Sequence, residues 1–175
     1  MNVAKMSNRK LRSVGRVKGV SPSLLRRYSW LGGLPVANLE RVARESECQL
    51  IPAGNTIFTQ HDDADAVYML LDGKVGLEHK DARGESVKHR LVGPFASFGD
   101  VALLGAPNRY YTADTDSASV VIRTPLSLLM EALATNRDLA QAWIHAVSSD
   151  LQRRERRLAG SVRQLIANPA FPDAA

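Results

Sequence analysis

From Cys48 to Thr124 the chain is cut into apolar runs too short for ordinary helices and separated at close intervals by turn-forming residues. The runs CQLI, TIFT, AVYMLL, KVGLEH, SVKHRLV and ASVVIRT are each of strand length, and between them lie Gly54, the acidic HDDAD stretch, Gly73, DARGE and GPF. Short strands at this spacing, with no helix-length segment between them, predict an antiparallel barrel or sandwich rather than parallel strands joined by helices. DARGE reads as a hairpin tip, with Gly84 supplying a residue that accepts a positive φ.

Helical signals flank this region on both sides. SPSLLRRY has Ser21 at a cap position and Pro22 at the first helical position, and Pro35 opens a second helix whose Leu39, Val42 and Ala43 share a face. Pro125 ends the strands, and LSLLMEAL predicts a short helix. A longer helix is expected from about residue 136, with Ile144, Leu151, Leu158 and Leu165 recurring every seven residues and Val147 and Val162 nearby. The polar Arg154 and Ser161 at companion heptad positions and Gly160 weaken that stripe. Its first turns would pack on the sheet, and Leu158 and Leu165 would face a partner helix. The predicted class is therefore mainly β with flanking helices. Residues 1–20 are expected to form a flexible basic arm, 21–135 an antiparallel roll with N-terminal helices, 136–167 a long C-terminal helix, and 168–175 a tail.

Charge and composition narrow the function classes. The chain has 175 residues, of which 45% are hydrophobic, enough for one domain with a core and tails. The net charge of +5 is concentrated at the ends: residues 1–28 hold eight basic and no acidic side chains, residues 29–150 ten and sixteen, and residues 151–175 five and two. Basic arms suit nonspecific, salt-sensitive contact with nucleic acid, an anionic surface or an acidic partner, and are also found as solvated extensions. An acid-free N-terminus also permits organelle targeting. No run approaches the roughly 18 apolar residues of a membrane helix, and no secretory leader is evident. The lone Cys48 cannot form an internal disulfide, and a cytoplasmic location is expected.

The stretch FGDVALLGAPNRYYTA, residues 98–113, carries the chemistry. A buried phosphate needs N–H donors and positive charge, which a tight turn after Gly99 and the two-pronged guanidinium of Arg109 would supply. A carboxylate beside them, Asp100, repels phosphate but accepts hydrogen bonds from a sugar hydroxyl, so the set suits a sugar phosphate. The plainer alternative is an Asp100–Arg109 ion pair that only holds the fold.

This stretch, together with PAGNTIFTQHDDADAVYMLLDGKVGL and the order of elements, resembles the cyclic nucleotide-binding domain of catabolite activator proteins, kinase A regulatory subunits and cyclic nucleotide-gated channels. The resemblance covers about residues 24–160 and includes Gly54, Phe58, Gln60, Asp62, Tyr68 and Gly73. It also takes in a phosphate cassette over Phe98, Gly99, Asp100, Val101, Ala102 and on to Pro107, Arg109, Tyr110, Tyr111 and Thr112. It implies an eight-stranded jelly-roll-type β roll holding cAMP, cGMP or a related cyclic dinucleotide, with phosphate on Arg109 and the cassette turn and ribose on Asp100. It further implies a base facing the C-terminal helix near Arg154 and Glu155, and a homodimer along that helix signalling to a separate effector. Several residues depart from the family pattern. Asp100 is one methylene shorter than the family glutamate, Tyr110 and Tyr111 replace two small residues, His61 replaces a turn glycine, and Phe95 and Ala96 replace a Gly-Asp pair. Neighbouring strand residues point to opposite faces, so one tyrosine ring should face the ligand side, as a plug, a stacking surface or plain core.

Catalysis is not expected. His61, His79, His89 and His145 are scattered, with no metal-ligand spacing, and neither a Gly-Lys-Ser phosphate loop nor a Gly-x-Ser-x-Gly turn is present. About fifteen residues follow Gly160, too few for a helix-turn-helix unit, so sequence-specific DNA reading by this chain alone is not expected. Two functions stay open: a stand-alone sensor whose ligand moves the long helix, and a ligand-free roll acting as a protein adaptor.

Overall fold

The computed structural model describes residues 15–149 except residue 82, together with residues 152 and 156. The strands are β1 (Gly15–Lys18), β2 (Glu47–Ile51), β3 (Thr56–Phe58), β4 (Ala66–Asp72), β5 (Val75–Lys80), β6 (Ser86–Val92), β7 (Ser97–Phe98), β8 (Thr112–Thr115) and β9 (Ser119–Pro125). They form two antiparallel sheets, ordered β1-β2-β9-β4-β7 and β3-β8-β5-β6. The helices are α1 (Pro22–Leu25), α2 (Val36–Glu45), a 3-10 helix (Asp100–Leu104), α3 (Leu126–Thr135) and α4, residues 137–149.

The predicted β roll with flanking helices is present. Part of the segment expected to be a flexible arm is a strand: β1 pairs with β2 from Gly15↔Leu50 to Lys18↔Glu47. Its four residues are all exposed, so backbone pairing rather than burial holds it. Pro22 sits in the first turn of α1, and α2 buries the expected Leu39, Val42 and Ala43.

Strand β4 explains why AVYMLL lacks alternation. Ala66, Tyr68 and Leu70 point into the roll between the sheets, while Val67 and Met69 point out to a second core under the helices. A strand covered on both faces reads as a continuous apolar run. Strand β9 divides the same way, with Val121 inward and Ile122 toward the helices. In that outer core α1, α2, α3 and the start of α4 pack together through Leu25, Leu39, Leu129, Leu139 and Trp143. At its edge Arg41 of α2 makes two hydrogen bonds, of 2.7 and 2.8 Å, to Glu131 of α3. Both side chains are about half exposed, so the pair adds little.

The β5–β6 hairpin is closed by Asp81, whose carboxylate accepts the N–H groups of Arg83 and Glu85, with Gly84 at φ 81°. Ile144 lies on α4 and is 56% exposed. Leu151, Leu158, Leu165, Arg154 and Glu155, named from the sequence for the dimer stripe and base contacts, lie outside the described residues.

If the outer core fastens the helices to the roll, Leu129→Ala, at a fully buried site, will cost about 2–5 kcal/mol in urea unfolding. Leu104→Ala, 64% exposed on the 3-10 helix, will change stability by less than about 0.5 kcal/mol.

Candidate functional site

The site starts from three aromatic rings. Phe58 of β3, Tyr68 of β4 and Phe98 of β7 meet inside the roll, with Tyr68 and Phe98 stacked at a centroid distance of 5.4 Å. On this apolar floor lies the guanidinium of Arg109, its carbon 4.3 Å from the Phe58 centroid and 5.5 Å from that of Tyr68. The Arg109 side chain is only 2% exposed. Burial lowers its pKa, the cost of keeping a cation from water.

What holds that charge is chiefly backbone. Arg109 Nη2 donates to the Ala66 carbonyl at 2.7 Å and to Asp65 Oδ1 at 3.3 Å, and Nη1 donates to the Gly99 carbonyl at 3.3 Å. The other Asp65 oxygen takes Arg123 Nη2 at 2.6 Å. Two guanidiniums therefore share one carboxylate, and Arg109 Nε is buried without a hydrogen-bond partner among the described residues. The ion pair is thus with Asp65, not with Asp100 as one reading of the sequence had it. Asp100 instead accepts a hydrogen bond from Ser97 Oγ at 3.2 Å. Asp65 was missed in the sequence because nothing links it to an arginine 44 residues away until β4 and the 107–109 segment lie side by side.

The loop before β4 fixes the backbone around Arg109. His61 N–H donates to the Arg109 carbonyl and Arg109 N–H to the Asp62 carbonyl, both at 2.8 Å, and Ala64 N–H reaches the Pro107 carbonyl. His61 sits at φ 74° and Phe95 at φ 62°. Both positions, where the family resemblance leads one to expect glycine, therefore keep a backbone that suits glycine. Side-chain residues hold the left-handed conformation, at about 1–2 kcal/mol each.

Phe98, Gly99, Asp100, Val101, Ala102, Arg109, Tyr110 and Tyr111, all named from the sequence, line one cavity of about 80 Å³, together with Phe58, Leu77, Arg90 and Asn108. The strand-alternation argument for the tyrosines does not apply, because both lie in a bend ahead of β8. Tyr110 is 59% exposed, whereas Tyr111 packs on the roll's core and meets the His79 ring edge-on at 6.2 Å. Among the described residues no group of His, Cys, Asp and Glu could hold a metal ion, and no helix is long and apolar enough to cross a membrane.

An antiparallel roll with an arginine-based cassette beside a helical layer is the architecture of the cyclic nucleotide-binding class of regulatory domain. Residues 48–136, just over half of the chain, match the cyclic nucleotide-binding domain family, and the chain belongs to that family. The global nitrogen regulator of Synechococcus elongatus is 29% identical over 104 residues, covering 58% of this chain and 47% of that protein. The CRP-like cAMP-activated global transcriptional regulator of Mycobacterium tuberculosis is 22% identical over 121 residues, covering 69% of this chain and 49% of that one. The chain spans about half the length of these curated relatives. The solved sensor domain of the transcriptional regulator DNR from Pseudomonas aeruginosa has the same fold, with TM-score 0.67 at 22% identity, covering 77% of this chain and 90% of that one.

Gly99 tests the seat of Arg109. It lies at φ 72°, and a Cβ there would fall 2.7 Å from Arg109 Nη1. Gly99→Ala should cost more than the roughly 1–2 kcal/mol of its backbone conformation alone. Gly93→Ala, where a Cβ meets nothing within 4 Å, should stay within about 0.5 kcal/mol of wild type. Urea unfolding of both checks this.

Proposed function

We propose that this domain is a sensor for an anionic ligand of the cyclic nucleotide type, bound at the cassette and signalled through α4. The observation that carries the reading is the buried Arg109, which shares its only carboxylate partner among the described residues with Arg123 and keeps Nε bare. An unpaired N–H on a buried cation is costly, by about 1–3 kcal/mol or more, and a phosphate oxygen is the acceptor that would relieve it. Asp100, half-buried on the cavity wall, would accept a ribose hydroxyl, through a water where the missing methylene leaves a gap.

The route to α4 runs through the 3-10 helix. Leu103 belongs to the same outer core as Leu139 and Trp143 of α4, so a shift of the cassette turn presses on the helix. Beyond residue 149 the heptad stripe begun by exposed Ile144 would pair with a second copy and offer a surface to an effector. A cytoplasmic setting fits the single thiol, Cys48. The relatives' names are those of transcriptional regulators, which supports a regulatory rather than catalytic role.

The competing reading, a ligand-free adaptor, also has an observation behind it. The cassette cavity of about 80 Å³ lies well under the roughly 300 Å³ at which small-molecule sites begin. On the sensor reading, Tyr110, which bounds that cavity and is 59% exposed, would have to turn toward solvent to admit a nucleotide.

Thermal unfolding against cAMP, cGMP, a cyclic dinucleotide and orthophosphate separates the two. A cyclic nucleotide at a hundredfold its Kd should stabilise the fold by about 2.7 kcal/mol. Arg109→Met should lose the response to every anion, and Asp100→Ala should lose the preference for cyclic nucleotide over orthophosphate while folding normally. No stabilisation of wild type at millimolar concentrations would leave the adaptor.

A further inference from the structure

Strand β6 carries two side chains in reverse of the usual pattern. Across the β5–β6 ladder Arg90 pairs with Leu77 and Val92 with Val75, and residues paired in this way share a face of the sheet. Leu77, Val75 and Val92 all belong to the core of the roll, so Arg90, two residues from Val92, points inward beside them. Its neighbour Leu91 points outward and is 55% exposed. A strand with one buried face ordinarily turns the leucine in and the arginine out. Local rules broken like this concentrate at functional sites.

The inward arginine also stands at a junction. It lines the cassette cavity together with Arg109, and it lines a second cavity of about 300 Å³ that lies between the Tyr28–Trp30 segment, the 3-10 helix and α4. Three residues, Arg90, Asp100 and Val101, border both cavities. The cassette cavity, at about 80 Å³, falls far short of the roughly 300 Å³ at which small-molecule sites begin, and the second cavity reaches it. A ligand anchored at Arg109 finds its remaining room past this shared border.

The charged walls of the two cavities are two guanidiniums, Arg109 and Arg90, and one carboxylate, Asp100. A guanidinium fork matches the paired oxygens of a phosphate. Two forks therefore suit two phosphates, and the carboxylate between them in charge suits a sugar hydroxyl carried by the same molecule. Beyond the border, Phe95, Leu104, Ala146 and Val147 give the larger cavity apolar walls on which a base can lie.

We infer that the ligand of this domain is a cyclic dinucleotide spanning both cavities, an inference that rests on the sensor reading above. One phosphate lies on Arg109 and the second on Arg90, a ribose hydroxyl meets Asp100, and one base passes Val101 into the larger cavity. A cyclic mononucleotide, with its single phosphate on Arg109, brings no phosphate to Arg90. The base in the larger cavity lies against Ala146 and Val147, so the ligand itself touches α4.

Isothermal titration of the protein with cyclic di-GMP, cyclic di-AMP, cAMP and cGMP tests this. One of the dinucleotides should bind at least about tenfold more tightly than either mononucleotide. Arg90→Met should weaken that dinucleotide by at least about tenfold and leave cAMP and cGMP within about twofold. Ala146→Phe, which fills the larger cavity from α4, should act in the same way. Arg90→Lys keeps the charge without the fork, and serves with an intermediate loss if Arg90→Met does not fold. Mononucleotides that bind as tightly as the dinucleotides, or a dinucleotide that binds folded Arg90→Met unchanged, would overturn the inference and leave Arg109 as a cyclic nucleotide site. Equal losses of cGMP and cyclic di-GMP in Arg90→Met would put Arg90 on a guanine edge instead of a phosphate, and overturn it too. Binding of none of the four would overturn this inference and the sensor reading together.

Discussion

A cation with 2% of its surface exposed organises the centre of this domain. Arg109 rests on Phe58 and is gripped by the carbonyls of Ala66 and Gly99, which belong to segments far apart in the chain. Those two bonds join β4 to the turn after β7, and the Asp65 carboxylate joins both to β9 through Arg123. Carbonyl dipoles and one shared carboxylate offset only part of the cost of burying a guanidinium. The imbalance is the physical ground for the proposal that an anion binds here. It also accounts for Gly99, since any side chain there would strike the guanidinium.

Around that centre the fold keeps two cores apart. The inner one fills the roll and supports Arg109; the outer one seats the helices on the back of the five-stranded sheet. Among the described residues thin elements bridge them: β4 and β9, with alternate residues in each core, and the 3-10 helix, whose Leu103 sits in the outer core while Val101 and Ala102 line the cassette. A change at the cassette therefore has a short mechanical path to α4. The larger cavity lies on the same path, between that 3-10 helix and α4.

Much of this was legible in the sequence, for identifiable reasons. Six strands announced themselves as apolar runs, and α2 by the face made of Leu39, Val42 and Ala43. The strands that were not read carry no such signal. Strand β8 is TADT, in which Thr115 is buried because its hydroxyl donates to the Pro52 carbonyl and Asp114 is satisfied by Thr56 Oγ1. Strand β7 has two residues, and β1 is exposed throughout. The cassette residues were found as a group because they are close in sequence and match a family pattern. Asp65 and Arg123 were not, since their pairing exists only after β4 and β9 align. Likewise, the second cavity draws its walls from residues 28 to 147, and no spacing rule connects Trp30 with Trp143.

The central claim is that Arg109 Nε is an unfilled donor waiting for a ligand oxygen. A crystal structure of the protein grown with millimolar cAMP or cGMP tests it most directly. The account predicts a phosphate oxygen within hydrogen-bond distance of Nε, about 2.7–3.2 Å, with Tyr110 turned away from the cassette. A cassette without nucleotide, or a nucleotide bound with its phosphate elsewhere and Nε still bare, would contradict it.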